Sequence, residues 1–266
     1  MLLSFVILTF NSEKYIVQCI ESIIRNTPKE LQTEIYVVDN GSDDNTVSLL
    51  ESKDAVKVIK LDRNYGTTYS RNLALKRSSG EYVVILDSDI KINKIDWTKI
   101  LNTFNQQTGL IAPKLKYANG EIQHSIKKFP TLLQRLKKLL TIFLGIKTTD
   151  GELYANLQNI EYPDTAISAF WIIKREILNV VGLLDEKIFY SPEDIDYCVR
   201  IWKKGYSIKY YLDADITHYT QQISHKRPFS KISISFLIDF FYYFIKHGYF
   251  FSTKKLDQIK KRVLSI

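Results

Sequence analysis

The sequence predicts an α/β fold, a mostly parallel sheet covered by helices, and two observations carry that prediction. Apolar runs rich in β-branched residues alternate with stretches of helical periodicity from residue 3 to residue 86, which is the rhythm of strand–helix–strand crossovers. Three of those runs end in polar, acceptor-rich residues, and parallel sheets gather ligands at the carboxyl ends of their strands. At 266 residues and 45% hydrophobic content, the chain can bury a substantial core.

Leu3 to Thr9 reads as the first strand. It lacks the basic flank and small-residue cleavage site of a secretory leader, and Asn11-Ser12 interrupts it too early for a membrane span. A buried strand of a cytoplasmic protein is expected. A helix follows from about Glu13 to Arg25, then a strand over Glu34 to Val38. Gly41 supplies a turn of positive φ before the next helix, which Asp43 or Ser42 is placed to cap. Val56 to Leu61 is a strand, a helix starts near Thr68, and Tyr82 to Leu86 is a strand running into Asp87-Ser88-Asp89.

Beyond Asp89 the alternation weakens. Lys127 to Lys147 carries Leu132, Leu133, Leu136, Leu139, Leu140, Phe143 and Leu144 at helical spacing with basic residues between them, a stripe that suits either lipid or a core. Ile167 to Ile173 reads as one strand and Lys174 to Val181 as a helix. Cys19 and Cys198 fall in helical patterns and are expected to be buried, reduced thiols.

The organisation expected is one α/β domain over residues 1–225, with a first half to residue 110 and a second over 111–225, followed by a helical tail over 226–266. Charge supports the division. The chain carries a net +8, of which the tail holds +7, with an aromatic run from Phe236 to Phe251. That composition fits an anionic membrane surface, the alternative being a basic face over a helix packed on the core. No recognised nucleic-acid motif accompanies it, and nucleic acid is not expected as a partner.

Asp-x-Asp occurs three times, at Asp87 and Asp89, Asp194 and Asp196, and Asp213 and Asp215. Position selects the first pair, which lies at a strand end; the others fall on a helix and in a late loop. Two carboxylates there are hard ligands that suit Mg²⁺ or Mn²⁺. In Ser191-Pro192-Glu193-Asp194, proline and acidic residues suit a helix N-terminus, where the helix dipole holds a carboxylate ionised as a general base.

The chain resembles glycosyltransferase family 2, of the GT-A fold with its Rossmann-like sheet, from residue 3 to about residue 220. The resemblance rests on an ordered set: Val6-Ile7-Leu8-Thr9-Phe10-Asn11, Val37-Val38-Asp39-Asn40-Gly41-Ser42-Asp43-Asp44, Asn64-Tyr65-Gly66, Ser70-Arg71-Asn72, Gly80-Glu81-Tyr82, Leu86-Asp87-Ser88-Asp89, Gly182-Leu183-Leu184-Asp185-Glu186 and Glu193-Asp194-Ile195-Asp196-Tyr197-Cys198-Val199-Arg200. The second half is most similar to the rhamnosyltransferase-like branch of envelope polysaccharide synthesis.

That resemblance implies an inverting transfer of one sugar from a nucleotide diphosphate-sugar (UDP, dTDP or GDP) to a lipid-linked or surface-polysaccharide precursor, on the inner face of the cell membrane. It implies that Thr9, Asn11 and Asp39 hold the base and ribose, that Arg71, Asp87 and Ser88 contact the donor, and that Asp89 and His218 hold Mg²⁺ or Mn²⁺. Asp194 would be the base and Glu193 would face the acceptor. Two stretches depart from the family pattern, Ser168-Ala169-Phe170-Trp171 and Tyr190-Ser191-Pro192; Trp171 either stacks on a sugar or belongs to the core. The Gln-x-x-Arg-Trp motif of processive synthases is absent from the sequence, and Asp239 and Lys246 break the apolar run from Ile232 to Phe251. Single transfers are therefore expected. The rival readings are a catalytically inactive homologue that docks or assembles, and a nucleotidyltransferase, for which no Gly-rich, lysine-bearing loop follows the first strand.

Overall fold

The computed structural model describes residues 1–143, 153–154, 156–220 and 231–265. In chain order it comprises β1 (Leu2–Thr9), α1 (Ile16–Asn26), β2 (Gln32–Asp39), α2 (Thr46–Glu51), β3 (Val56–Lys60), α3 (Thr67–Arg77), β4 (Tyr82–Asp87), β5 (Ile90–Lys94), α4 (Trp97–Leu101) and β6 (Thr108–Pro113). Then come β7 (Ile126–Lys127), α5 (Leu132–Phe143), β8 (Thr165–Ala166), β9 (Phe170–Lys174), α6 (Arg175–Val181), α7 (Glu193–Lys203), β10 (Ser207–Tyr211), β11 (Asp215–His218), α8 (Lys231–His247) and α9 (Lys254–Leu264).

Seven strands form the central sheet in the order β10-β6-β9-β4-β1-β2-β3. All run parallel except β9, which pairs antiparallel with both β4 and β6. Side chains alternate between faces: Val6, Val38, Val83 and Ile85 enter one core and Phe5, Ile7, Val37 and Val84 the other. Burial on both faces explains why these strands read as unbroken apolar runs. The second core is closed by α1 and α4 through Ile16, Cys19, Ile20, Trp97 and Ile100. Cys19 and Cys198 are buried free thiols.

Several local expectations change. The segment 12–15 is a turn, its Ser12 carbonyl accepting from the Tyr15 and Ile16 amides, so α1 starts three residues late. Neither Ser42 nor Asp43 caps α2: Asp44 Oδ1 accepts from the Thr46 amide at 3.0 Å, because the turn at Gly41 (φ +79°) commits Ser42 to Asp39. The strand expected over 167–173 starts only at Phe170, as β9, because residues 168 and 169 form a turn and the Ser168 hydroxyl is drawn into polar contacts described below.

The basic C-terminal stretch packs on the domain. Tyr243, Phe244, Leu256 and Val263 are buried in the same cluster as Trp171, Tyr197 and Trp202. Asp239, buried on α8, accepts from the Tyr190 amide at 3.0 Å. Lys246 reaches Asp185 (2.7 Å) and Asp196 (2.6 Å), and His247 Nε2 lies 2.8 Å from Asp196. The alternative of a helix packed on the core therefore describes the inner side of α8.

Candidate active site

The carboxyl ends of β1, β2 and β4 lie side by side: Thr9 is in register with Asp39, and Leu8 with Asp87. A cleft of about 370 Å³ opens beside them, lined by Arg71, Asp87, Ser88, Asp89, Ser168, Glu193, Asp194 and His218 among others. Sheet topology accounts for the meeting of these distant residues. β11 pairs antiparallel with β5, placing His218 opposite Ile90 and next to Asp89. The reversed strand β9 brings the Ser168 turn to the end of β4, where the Asp87 amide donates to the Ala169 carbonyl at 3.1 Å.

Asp87, Asp89 and His218 each offer a ligand atom within 4.8 Å of one another. His218 Nε2 is 3.3 Å from Asp89 Oδ1 and Nδ1 is 2.9 Å from Gln123 Oε1. With the Gln123 carbonyl accepting from Nδ1–H, Nε2 is turned toward the carboxylates. Two carboxylates and one imidazole at a strand end suit Mg²⁺ or Mn²⁺, so the residues present fit a divalent cation. Proximity to Asp89 raises the imidazole pKa against the opposing effect of burial.

Arg71 is 1% exposed and spans the cleft floor. Its Nη2 is 2.5 Å from Asp87 Oδ1, and its Nη1 is 2.7 Å from Ser168 Oγ and 3.4 Å from Glu193 Oε1. Ser168 Oγ in turn donates to Glu193 Oε1 at 2.8 Å. The guanidinium thus ties the strand-end carboxylate to the acidic helix start. Burial, with the neighbouring Asp194 charge, pushes Glu193 up to about 8 against Arg71 and Ser168. Asp194 is also raised, chiefly by burial, and its Oδ1 accepts from the Ile195 amide at 2.8 Å. Both acids lie in the first turn of α7, directly after Pro192.

The remaining sequence candidates divide. Ser88 lines the cleft and shares a 2.7 Å hydrogen bond with Ser12. Thr9, Asn11 and Asp39 flank the cleft without lining it: Thr9 and Asp39 are buried, and Asn11 (φ +50°) accepts from the Asp43 amide. Asp39 accepts from both the amide and the hydroxyl of Ser42. Trp171 is fully buried with its ring stacked on Tyr197 at 5.7 Å, so the core alternative holds and no indole face is offered to a sugar. Of the other Asp-x-Asp residues only Asp194 lines the cleft: Asp196 is bonded to Arg200 and α8, Asp213 pairs with Lys99, and Asp215 with Lys116. Gln123, Ser168 and Ser12 were missed as site residues. Ser12, just past a strand end, and Ser168, in a stretch that departs from the family pattern, carry a sequence signal; Gln123 carries none.

A mostly parallel sheet with two aspartates at a central strand end, faced by an acidic helix start, is the architecture of GT-A proteins. Residues 4–182, roughly two thirds of the chain, match the family described as Glycosyl transferase family 2, and the chain belongs to that family. An uncharacterized glycosyltransferase of Haemophilus influenzae is 25% identical over 262 residues, covering 93% of this chain and 95% of its own length. Four other curated relatives are much longer, and the matched part of this chain spans only 16–21% of their length. Among solved structures, GalNAc-T7 with UDP, GalNAc and Mn²⁺ superposes with a TM-score of 0.63 at 18% identity, covering 82% of this chain and 43% of that one. Staphylococcus aureus TarS 1-349 in complex with UDP-GlcNAc gives 0.59 at 24% identity, covering 99% and 72%. These likenesses establish the GT-A fold.

Proposed function

We propose that this protein is a metal-dependent, inverting, non-processive glycosyltransferase that moves one sugar from a nucleotide diphosphate-sugar to a lipid-linked or surface-polysaccharide precursor. The observation that carries the reading is the convergence of Asp87, Asp89 and His218 with Asp194 on one cleft. Asp89 and His218, with Asp87 beside them, would hold Mg²⁺ or Mn²⁺, which supplies neutralisation of the leaving diphosphate. The solved complexes of GalNAc-T7 with UDP and Mn²⁺ and of TarS with UDP-GlcNAc support a nucleotide donor and make UDP the first to test.

In this reading Thr9, Asn11 and Asp39 shape the base end of the donor site, and Ser88 and Arg71 with Asp87 its diphosphate end. Asp194 takes the acceptor proton as the acceptor oxygen bonds to the sugar carbon and the carbon–phosphate oxygen bond breaks. A single displacement of this kind inverts the anomeric centre. Glu193, its pKa raised by its buried setting, faces the acceptor side, held there by Arg71 and Ser168. Among the described residues no helix is long and apolar enough to cross a membrane; the proposed place of work is the inner membrane surface.

Thermal unfolding with UDP, dTDP or GDP, each with and without Mn²⁺, tests the donor site. A ligand at a hundred times its Kd adds about 2.7 kcal/mol. One nucleotide is expected to stabilise the chain in a Mn²⁺-dependent way, and Asp89→Ala to abolish the effect. Stabilisation by none of them would remove the proposal.

A further inference from the structure

The outward side of α8 carries apolar residues that the fold leaves uncovered. Ile238, Phe241 and Ile245 recur at helical spacing and are 63%, 48% and 71% exposed, while Phe240, Tyr243 and Phe244 on the opposite side are buried in the core. Phe251, just past the helix, is 82% exposed, and Leu133 and Leu136 of α5 are exposed as well. α5 is tied to the buried side of α8 and to the residues after it, the Arg135 guanidinium lying 4.9 Å from the Phe240 ring centre and the Leu133 amide donating to the Phe250 carbonyl at 3.2 Å. Several large apolar side chains exposed together mark an interaction surface.

Charge selects the partner. Of the seven lysines and arginines in residues 231–265, Lys246 and Lys260 are paired inward with Asp196 and Asp164, whereas Lys254, Lys255, Lys261 and Arg262 are exposed. Lys254 and Lys255 follow Phe251, Lys137 follows Leu136, and all three are exposed. Aromatic and aliphatic side chains bordered by lysine form the pattern that inserts at an anionic headgroup layer. Location adds a reason. The same helix holds the cleft rim from inside, since Asp239 accepts from the amide of Tyr190, and Tyr190 and Ser191 line the cleft next to Glu193 and Asp194.

We infer that this face of α8, with Phe251 and the two leucines of α5, docks on an anionic lipid bilayer and sets the acceptor side of the cleft at the headgroup layer. Only the identity of what the bilayer presents, a glycosyl acceptor, rests on the function proposed above. The docking surface stands on exposure and charge.

The test is co-sedimentation of the full chain with vesicles of phosphatidylcholine alone or mixed with phosphatidylglycerol. Binding is expected with the mixed vesicles, weakened by high salt, and reduced roughly tenfold or more in an Ile238→Ser/Phe241→Ser/Ile245→Ser variant. Lys254→Glu/Lys255→Glu should lose the preference for anionic lipid. Far-ultraviolet circular dichroism and thermal unfolding of each variant verify that a loss of binding is not a loss of fold. A wild-type chain that stays in the supernatant with the anionic vesicles overturns the inference. So does a triple variant that still binds them while a wild-type dimer becomes a monomer, which would give the face to a second copy. Vesicle binding without any nucleotide-dependent stabilisation would leave the docking surface standing and remove the glycosyl-transfer reading instead.

Discussion

Gln123 Oε1 lies 2.9 Å from Nδ1 of His218, and this contact turns the other ring nitrogen toward Asp89. Gln123 reaches the carboxylate pair through the imidazole. Outer partners of this kind are typically worth 10- to 100-fold in metal affinity. Gln123→Leu is expected to weaken Mn²⁺ binding by about that factor, read by titration calorimetry in the presence of the nucleotide that stabilises the chain. Unchanged affinity would reduce the glutamine to a packing role.

Arg71 offers a second case, because a fully buried guanidinium serves both Asp87 and Glu193. Arg71→Met removes the charge while keeping much of the volume, leaving acidic groups in a poorly solvated cleft. Breaking a buried pair from one side costs about 3 kcal/mol or more, so urea unfolding should show a loss of that order. Arg71→Lys keeps the charge but not the fork that meets Asp87 and Ser168 together, and should fall between. A methionine variant as stable as wild type would refute the bridging role.

The base role of Asp194 is open to test by substitution and by pH. Asp194→Asn should lower transfer by about 10²- to 10⁴-fold and leave nucleotide-dependent stabilisation intact. Burial raises the Asp194 pKa, so the wild-type rate should begin to fall, as pH is lowered, above the range of an ordinary aspartate. Full activity held down to pH 4 would argue against Asp194 as the base.

Far from the cleft, Glu34 accepts from Ser4 Oγ (2.6 Å) and the Ser79 amide (2.6 Å) and pairs with Lys57 (3.0 Å), which lowers its pKa from 4.5 to about 2 despite the cost of burial. A pKa depressed by folding stabilises the native state above the unfolded value, and that contribution is lost as pH falls from 4.5 toward 2. Glu34→Gln should therefore cost about 1–2 kcal/mol at pH 7, the solvent-facing Lys57 contributing little, and almost nothing near pH 2. Equal losses at both pH values would contradict the assignment.

How far the site could be read from the chain depended on whether a residue's place followed from a repeating pattern. Runs such as Tyr82 to Leu86 announce themselves because both faces of the strand are buried, and a strand end then locates Asp87 and Asp89. Gln123 lies between β6 and β7, in a stretch whose path is set by single backbone contacts such as its own amide to the Leu115 carbonyl; no period encodes that. Trp171 was ambiguous for the opposite reason, since a strand pattern gives its spacing but not how deep the strand sits. The basic character of the C-terminal stretch concealed its second side. Phe240, Tyr243, Phe244 and His247 keep helical spacing, yet only the fold shows them meeting Asp196 and the core beside α7.

The ties from α8 to the cleft rim bear on how such an enzyme can be recombined. The family match ends at residue 182, whereas Asp185 and Asp196 are bonded to Lys246, and Tyr190 to Asp239. A chimera that exchanged everything after the match would carry both ends of each tie, but one that exchanged only the final helices would confront Asp185 and the buried Asp196 with foreign side chains. These ties bind residues 183–265 into one block, and exchanging that block whole is expected to preserve stability where exchange of the final helices alone does not.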